Sequence, residues 1–328
     1  MTCRICRSTH AEQIGEVEYY SGFAWPIYDC AICGCRFTRH DNSIYEWLHR
    51  QPGSSYALYR ELLEKCKRFF DAGDIDGLRT ELCASSKYKW IIEAIKQRGK
   101  PDPILEVGCS RGYLTSYFIL AGYNILGADL SAEAVNDARS AFGNFFETSN
   151  STLIQQRAPY DAIYHVGTIG CVADPVAMTD RLFDLLKPGG QLLFNAPNVE
   201  ACSLKAQLWI DASPPPDVVT LFRPGFWSKQ FSSLAKVVED TEMSSPERSF
   251  VIGLRRLARR DWHKPTPIPL EQSAKDFKMS RVRNHHVSNY MWNIFERGML
   301  GIARRARAVK FVPPQPNPFG LFVTMTKK

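Results

Sequence analysis

The stretch ILEVGCSRGYLTSYFILAGYNILGADLS, residues 104–131, constrains the fold of this chain more than any other segment. A short apolar run meets a turn that contains Gly108 and Gly112, and a helix-like segment then follows and ends at Gly122. A second apolar run closes the stretch and ends at Asp129. This order predicts a strand, a tight turn, a helix and a second strand, which together form a β-α-β unit.

The glycine turn is suited to a nucleoside. Gly108 and Gly112 let the backbone come close to a ligand at the carboxyl edge of the first strand, and Asp129 can accept hydrogen bonds from a ribose diol. A dinucleotide turn needs a middle glycine and a helix N-terminus that holds pyrophosphate, but this chain has Ser110 at the middle position. Glu106 would repel a pyrophosphate, whereas it suits a ligand with a positively charged amino-acid end.

The pattern E-x-G-C-x-x-G, followed by an acidic residue at the end of the next strand, resembles the first two motifs of class I S-adenosylmethionine-dependent methyltransferases. The resemblance continues in YDAIYHVGTIGCVADP, which is similar to their fourth strand, and in LFDLLKPGGQLLFNAPN, which is similar to their LKPGG turn and fifth strand. It covers residues 104–198 with three motifs in order. It implies an α/β, Rossmann-like sheet of seven strands whose last strand is antiparallel, with S-adenosylmethionine as the cofactor.

The same resemblance implies which residues contact the cofactor. They are Glu106, Gly108 and Cys109 at the methionine end, Asp129 and Leu130 on the ribose and adenine side, and His165 to Thr168 beneath the sulfonium, with Gly112 completing the turn.

Methyl transfer from a sulfonium is an in-line displacement, so a base is needed only when the acceptor is a hydroxyl or a carbon acid. His165 is the candidate catalytic base because histidine titrates near neutral pH, but a structural imidazole fits equally. Many members of the family carry Glu-His shortly after this strand, where this chain has Gly170-Cys171. Asp211 or Asp217 could also touch the acceptor, although turn chemistry explains their proline-rich loop as well.

Five of the ten cysteines lie in the first 35 residues, and four of them form two C-x2-C pairs that are 23 residues apart. Such pairs typically give a tetrahedral zinc site to which each turn contributes two thiolates. The alternatives are a disulfide, which a reducing compartment disfavours, and chance clustering. Four thiolates leave no position open for water, so the zinc would be structural. The predicted ligands are Cys3, Cys6, Cys30 and Cys33, with His10, Cys35 and His40 as substitutes for one of them.

The motifs divide the chain into segments. Residues 1–45 are predicted to form the zinc unit, and residues 46–100 a helical linker or lid whose two helices, SSYALYRELLEKCKRFF and SSKYKWIIEAIKQRG, are separated by a break at DAGDIDG. The cofactor-binding core is predicted over residues 101–247. The segment NPFGLFVTMTKK fits the last strand at residues 317–328, so residues 248–316 become a basic helical insertion before the sheet is completed.

Positive charge is concentrated near the C-terminus. Residues 248–328 hold 17 Lys and Arg against four Asp and Glu, whereas the net charge of the whole chain is +7. Part of this charge lies in SNYMWNIFERGMLGIARRARAVKF, a candidate amphipathic helix. Such a helix could lie on a membrane surface or a partner, and the charge could face RNA, but a packed helix with a solvated basic end is the commoner case.

The predicted reaction is methyl transfer to a small-molecule or glycan acceptor, such as a sugar, natural-product or envelope precursor. Cysteine knuckles before such a core also occur in sugar C-methyltransferases and in a ribosomal RNA guanine methyltransferase, so RNA is the alternative acceptor. A binding protein without activity is a third hypothesis. The sequence has no run of 18 apolar residues and no hydrophobic leader, so a cytoplasmic protein is expected. Neither the oligomeric state nor the methylated atom is predicted.

Overall fold

A computed structural model describes residues 1–20, 23–41, 56–202, 208–210, 215–247, 249–251 and 297–328. The strands in these residues are β1 (Ala11–Tyr20), β2 (Phe23–Cys30), β3 (Arg36–Phe37), β4 (Ile104–Val107), β5 (Ile125–Asp129), β6 (Phe146–Thr148), β7 (Tyr160–His165), β8 (Leu186–Pro197), β9 (Thr220–Leu221), β10 (Ala235–Met243) and β11 (Pro316–Lys327). The helices are α1 (Tyr56–Asp71), α2 (Ile75–Leu82), α3 (Ser86–Gln97), α4 (Tyr113–Leu120), α5 (Ala132–Phe142), α6 (Thr152–Gln156), α7 (Pro175–Asp184) and α8 (Phe226–Phe231), and residues 297–305 are also helical.

The core of the protein is a seven-stranded sheet with the order β10-β11-β8-β7-β4-β5-β6. β4 lies between β5 and β7 and is parallel to both, whereas β11 is antiparallel to both β8 and β10. The predicted α/β, Rossmann-like sheet with an antiparallel last strand is therefore confirmed. From β4 the chain builds the sheet first toward β6 and then, from β7, in the opposite direction. The carboxyl ends of β4 and β7 therefore meet at a topological switch point, which is where open α/β sheets bind their ligands.

Helices cover both faces of this sheet, and the strands divide their side chains between them by simple alternation. Ile104 and Tyr164 belong to a core built with α1 to α5, which we call the α4 face. Leu105 and Ile163 belong to a core built with α6 to α8 and the cysteine-rich N-terminus, which we call the α7 face. Each strand of the sheet centre is thus buried on two sides.

The helical segment before the core contains three helices, one more than the sequence predicted. The break predicted at DAGDIDG is wrong in its second half because α2 begins there, with Asp74 as its N-cap: Asp74 Oδ1 accepts a hydrogen bond of 2.8 Å from Gly77 N. In α3, Trp90 stacks on Phe322 of β11 with the ring centroids 4.6 Å apart. These helices therefore pack on the sheet as part of the α4 face.

The N-terminal segment completes its own sheet with a strand from the core. This second sheet has the order β1-β2-β3-β9, and β3 pairs with β9 through Arg36 opposite Leu221 and Phe37 opposite Thr220. The sequence did not predict this pairing because each of the two strands is only two residues long. The N-terminal segment is consequently joined to the core by backbone hydrogen bonds.

The predicted insertion at residues 248–316 lies between β10 and β11, and most of it falls outside the described residues, including the first half of the predicted amphipathic helix. Of the described part of that helix, residues 297–305 are α-helical as predicted, but a turn follows and Ala308–Phe311 form a 3-10 helix, so the prediction is wrong for its last six residues. In the described parts of the chain no helix combines the length and the apolar character that crossing a membrane requires. The segment boundaries proposed from the sequence remain predictions.

Candidate active site and cysteine cluster

The turn after β4 approaches the chain closely on two sides. The amides of Gly108 and Cys109 both donate to Ala128 O, at 2.7 and 3.0 Å. Gly108 has a φ of +72°, and a Cβ at this position would fall inside van der Waals contact with Thr168 Oγ1 and 3.1 Å from its Cγ2. The turn therefore touches the loop that follows β7, at the switch point of the sheet.

Arg111 and Gly112 hold the other end of the same turn. Arg111 is 8% exposed, and its guanidinium donates to Asp137 at 2.8 Å and to Glu133 at 3.5 Å, both on α5. Gly112 has a φ of +77°, and a Cβ there would stand 2.5 Å from the Phe146 ring. The turn is thus fixed to α5 and to β6 before any ligand arrives.

Asp129 ends β5 beside this turn. Its two carboxylate oxygens accept hydrogen bonds from Ser110 N at 2.8 Å and from Ser131 N at 2.9 Å. Burial raises the pKa of Asp129, while these backbone amides act in the opposite direction. The next side chain, Leu130, is 86% exposed. A held carboxylate and an open apolar surface therefore lie next to each other at the mouth of the turn.

Glu106 lies below the turn, on the α4 face, and is 4% exposed. Thr115 Oγ1 donates a short hydrogen bond to its carboxylate, and Tyr164 Oη donates a second of 3.1 Å. Burial raises the pKa of Glu106 to about 7. The carboxyl group therefore binds two hydroxyls of the protein interior, and its predicted contact with the cofactor remains a prediction.

His165 is fully buried on the α7 face, opposite to Glu106. Its ring stacks on Phe194 at 4.7 Å between centroids, with an interplanar angle of 19°. Burial lowers the pKa of His165 to about 3, so the ring is neutral at ordinary pH. Among the described residues neither ring nitrogen has a hydrogen-bond partner. This environment favours the structural role that the sequence left open beside the catalytic one.

Residues 166–174, which we call the β7 loop, follow β7 and lie at the same edge of the sheet as the glycine turn. Gly167 N donates to Asn195 Oδ1 at 2.8 Å, which fixes the loop to β8. Cys171 Sγ donates to Gly167 O at 3.1 Å, and burial raises the pKa of Cys171 to about 12. The Asp217 carboxylate raises this pKa further while the Lys87 ammonium lowers it, so both charges lie within electrostatic range of one thiol.

The four predicted zinc ligands come together. The Sγ atoms of Cys3, Cys6, Cys30 and Cys33 all lie within 4.8 Å of one another, with 3.8 Å between Cys3 and Cys33 and 3.6 Å between Cys6 and Cys30. Four sulfurs placed about 2.3 Å from one zinc ion at the corners of a tetrahedron would be about 3.8 Å apart. The spacing of this cluster therefore fits a single ion.

Both halves of the cluster use the same turn. Arg7 N donates to Cys3 O at 3.0 Å, and Gly34 N donates to Cys30 O at 2.8 Å. Each of these donors has a left-handed backbone, with φ values of 62° and 68°. The nearby Cys35 instead points its thiol at the carbonyl of Cys33, at 3.8 Å. The two C-x2-C knuckles are thus equivalent, and within the described residues the metal-binding group consists of their four cysteines.

A family model described as "Methyltransferase domain" matches residues 78–291, about two thirds of the chain. The chain belongs to this methyltransferase family. With the seven-stranded sheet, membership confirms the predicted S-adenosylmethionine-dependent methyltransferase domain of class I.

Several curated relatives match part of this chain. A "Ubiquinone biosynthesis O-methyltransferase" of Xylella fastidiosa (strain 9a5c) is 31% identical over 102 residues, which are 29% of this chain and 42% of that protein. A protein of the same name from Pseudomonas fluorescens (strain SBW25) is 24% identical over 157 residues, which are 46% of this chain and 63% of that protein. The chain thus spans less than two thirds of the length of these relatives.

Solved structures with a similar fold include the plantazolicin methyltransferase BamL in complex with a triazolic desmethylPZN analog and SAH. BamL is 15% identical to the chain described here, with a TM-score of 0.42, and the match covers 83% of this chain and 98% of that chain. A SAM dependent methyltransferase from Archaeoglobus fulgidus is 14% identical with a TM-score of 0.41, over 73% and 94% of the two chains.

The methyltransferase places most of the predicted cofactor contacts along one edge of the sheet. This edge holds Gly108, Cys109, Gly112, Asp129, Leu130 and Thr168. Glu106 lies within β4 and His165 is the last residue of β7, and their side chains take opposite faces of the sheet. Asp217 lies near the β7 loop, whereas Asp211 is outside the described residues.

Sequence reasoning missed the groups that hold this edge of the methyltransferase in place. Thr115 and Tyr164 meet Glu106 across nine and 58 positions of the chain, and no local pattern indicates such a contact. Asn195 did carry a signal, because it is a polar residue within the apolar run LLFNAP and is 3% exposed. A buried amide in a strand that ends at a ligand edge is a reasonable candidate for holding a loop.

Proposed function

We propose that this chain transfers the methyl group of S-adenosylmethionine to a small-molecule or glycan acceptor. The proposal rests on one observation, the convergence of the glycine turn, the Asp129 carboxylate and Thr168 at the switch point of the sheet. The matched family supports the transfer chemistry, and the names of the curated relatives, which are O-methyltransferases of ubiquinone biosynthesis, support a small acceptor.

The residues at this edge fit the cofactor. The Asp129 carboxylate binds the backbone amides of Ser110, Ser131 and Leu130. A carboxylate offers about four acceptor positions, so it can still accept a hydrogen bond from a ribose hydroxyl. The exposed Leu130 offers an apolar surface to the adenine ring. Gly108 allows the backbone to come within contact distance of the ligand. When bound, the cofactor supplies an electrophilic methyl group on a sulfonium centre.

The chain's own contribution is alignment. The glycine turn is fixed by Arg111, and the β7 loop is fixed by the hydrogen bond from Gly167 to Asn195, so both walls of the site are set before binding. An acceptor atom that is already nucleophilic then needs no base. We propose that the neutral ring of His165 supports the floor of the site from the α7 face.

We place the acceptor beside the β7 loop, where opposite charges face apolar side chains. Lys87 lies over the Phe319 ring, with 5.9 Å between its ammonium and the ring centroid, and it acts with Asp217 on the thiol of Cys171. A site with one cation, one anion and an aromatic wall suits a compact polar acceptor that has an apolar part.

RNA is the second candidate acceptor, and one observation favours it. The helix at residues 297–305 ends in Arg304 and Arg305, which are exposed together with Arg307. Binding of RNA through such a patch would weaken steeply with salt because each neutralised phosphate releases counterions. A flat salt dependence and no RNA in the purified protein would favour the small molecule.

We also propose that the four clustered cysteines hold one zinc ion with a structural role. Their spacing supports this, as do the two equivalent turns that present them. Four thiolates would fill the coordination sphere and leave no position for water or substrate.

Calorimetric titration with S-adenosylmethionine and, separately, with a nicotinamide dinucleotide tests the proposal. We expect binding of S-adenosylmethionine, and Asp129→Ala should weaken it by about 1–3 kcal/mol because ribose hydroxyls lose their acceptor. Asp180→Asn, which changes an exposed carboxylate on α7, is the matched control and should bind as wild type. Binding of the dinucleotide alone would overturn the proposal.

A further inference from the structure

Arg4 lies between two of the proposed zinc ligands, Cys3 and Cys6, yet its side chain binds the core. One terminal nitrogen of its guanidinium donates to Val172 O at 2.6 Å and to Ala173 O at 2.9 Å. Both carbonyls belong to the β7 loop. We propose that Arg4 is a positioning residue that couples metal binding by the cysteine cluster to the conformation of the β7 loop.

The same guanidinium also binds the N-terminal segment. Its other terminal nitrogen donates to Thr38 O at 2.9 Å, and Thr38 N in turn donates to Val219 O at 3.0 Å. A planar guanidinium can hold three carbonyls in one fixed arrangement, which a lysine ammonium on a flexible stem does not reproduce. Arg4 therefore joins the first knuckle, the end of β3 and the β7 loop at one point.

A second arginine of the first knuckle acts on the same loop. Arg7 forms an ion pair with Asp174, the last residue of the β7 loop. Asp174 is also the N-cap of α7, where its Oδ1 accepts a hydrogen bond of 3.0 Å from Ala177 N. Because the left-handed turn at Arg7 is part of the knuckle, the knuckle geometry determines where Arg7 meets Asp174.

The β7 loop transmits this restraint toward the cofactor site. Cys171 N donates to Thr168 O at 2.9 Å, and Thr168 packs against Gly108 of the glycine turn. On its outer side, Gly170 O accepts a hydrogen bond of 2.8 Å from Val219 N, next to the strand that pairs with β3. The N-terminal segment thus holds residues 172–174 of the loop, Val219 of the core holds Gly170, and Thr168 touches the cofactor turn.

A bound zinc ion would fix the backbone of the first knuckle and with it the position of Arg4. Loss of the metal should release Val172 and Ala173 and lower the fraction of molecules whose β7 loop is placed to receive the cofactor. This inference rests on the proposed zinc and cofactor sites, and it is independent of the identity of the acceptor.

Hydrogen exchange of the zinc-loaded full chain tests the coupling without an acceptor. In Arg4→Ala, with its zinc content verified by elemental analysis, we expect amides of residues 166–174 to exchange at least tenfold faster. Amides of β4 should exchange as in wild type, and S-adenosylmethionine should bind about threefold to tenfold more weakly. Arg4→Lys keeps the positive charge and changes the fold less than Arg4→Ala does. It should also accelerate exchange in residues 166–174, because an ammonium does not hold the three carbonyls in one arrangement. Arg39→Ala is the matched control, because Arg39 belongs to the same segment but stacks on Trp25, 4.8 Å from its ring centroid.

Removal of zinc with a chelator completes the test. In wild type, chelation should accelerate exchange in residues 166–174, and in Arg4→Ala it should add much less because the connection is already broken. Unchanged loop exchange in a zinc-loaded Arg4→Ala, or the same added acceleration in both proteins, would overturn the inference. A wild type without zinc would also overturn it. Failure of the wild type to bind S-adenosylmethionine would instead count against the proposed function and leave the exchange result readable.

Discussion

Gly108 and Thr168 touch where the turn after β4 meets the β7 loop, and there is no room for a side chain between them. The glycine has a φ of +72°, so an L side chain at this position would strain the backbone as well as strike the Thr168 hydroxyl. The relative position of the two walls of the site therefore depends on the absence of one methyl group.

Gly108→Ala should separate these walls and weaken binding of S-adenosylmethionine by at least tenfold, as measured by calorimetry. The left-handed backbone alone costs about 1–2 kcal/mol of folding stability for an L-residue. Gly189→Ala is the control for that strain, because Gly189 also has a φ of +72° but a methyl group there would meet nothing within 4 Å. It should lose stability and keep its affinity.

The clash itself can be relieved. Adding Thr168→Ala to Gly108→Ala removes the hydroxyl, so the double variant should recover part of the affinity while keeping the backbone strain. Equal losses of affinity in Gly108→Ala and Gly189→Ala would show that the contact between the two loops does not matter.

Glu106 should make the protein less stable as pH rises. Its pKa is raised by burial to about 7 in the folded state, above the 4.5 of an ordinary glutamate, so between these values the folded chain holds a proton that the unfolded chain has released. This contribution is complete below about pH 4.5 and should be lost as pH rises through 7, by about 3 kcal/mol. Urea titrations at several pH values should show this slope in His165→Phe, which lacks an opposing histidine, and should show its loss when Glu106→Gln is added to that variant.

His165 should act in the opposite direction. Burial lowers its pKa to about 3 from 6.5, so between these values the unfolded chain binds a proton that the folded chain rejects, and stability falls as pH falls. From pH 6.5 to 5 the loss should be about 2 kcal/mol. In His165→Phe, which keeps a ring against Phe194, this loss should be absent. The two buried groups oppose each other in wild type, and each variant should reveal the slope of the other.

The same variant addresses catalysis. With an acceptor in hand, His165→Phe should keep turnover within about tenfold of wild type, because a general base typically contributes 100-fold or more. A larger loss of turnover at unchanged cofactor affinity would restore the catalytic role of His165.

Zinc content should distinguish the cysteines of the N-terminal segment. We expect about one zinc per chain by elemental analysis in wild type, and a large decrease in Cys30→Ser because a ligand is lost. Cys35→Ser should retain the metal, since Cys35 is buried beside the cluster but faces the carbonyl of Cys33. Near-zero zinc in wild type, or equal losses in both variants, would contradict the assignment.

Local patterns predicted the central part of the fold. The glycine turn and its flanking strands were predictable because apolar runs and helix signals there are consecutive in the chain. Ser131, at the end of this stretch, caps α5 by accepting a hydrogen bond from Ala134 N. The pairing of β3 with β9 could not be predicted, since it joins two-residue strands that have no periodicity.

The places of the candidate site residues in the fold could be predicted in part, and their contacts less so. Asp129 could be placed because the apolar run before it predicts a strand that ends there, whereas Thr168 was implied only by the resemblance to the methyltransferase family. The orientation of Glu106 and His165 depends on which face of the sheet each side chain takes, and both are polar residues inside strands that are buried on two sides. Burial on both faces removes the alternation of polar and apolar residues from which orientation is normally read.

β9, the strand that the core contributes to the N-terminal sheet, gives the folding of this chain a time order. Phe37 and its partner Thr220 are 183 positions apart, so on a ribosome that adds about 5–20 residues per second the edge of β3 waits roughly 10–40 s for its neighbour. During that interval all four proposed zinc ligands are already synthesised, while Phe37 lies on an unpaired strand edge, which is a template for pairing with another chain. In a fragment that ends near residue 45, the edge of β3 would stay unpaired because β9 is absent. The cysteine cluster can therefore form early, but its sheet is closed only by the methyltransferase core.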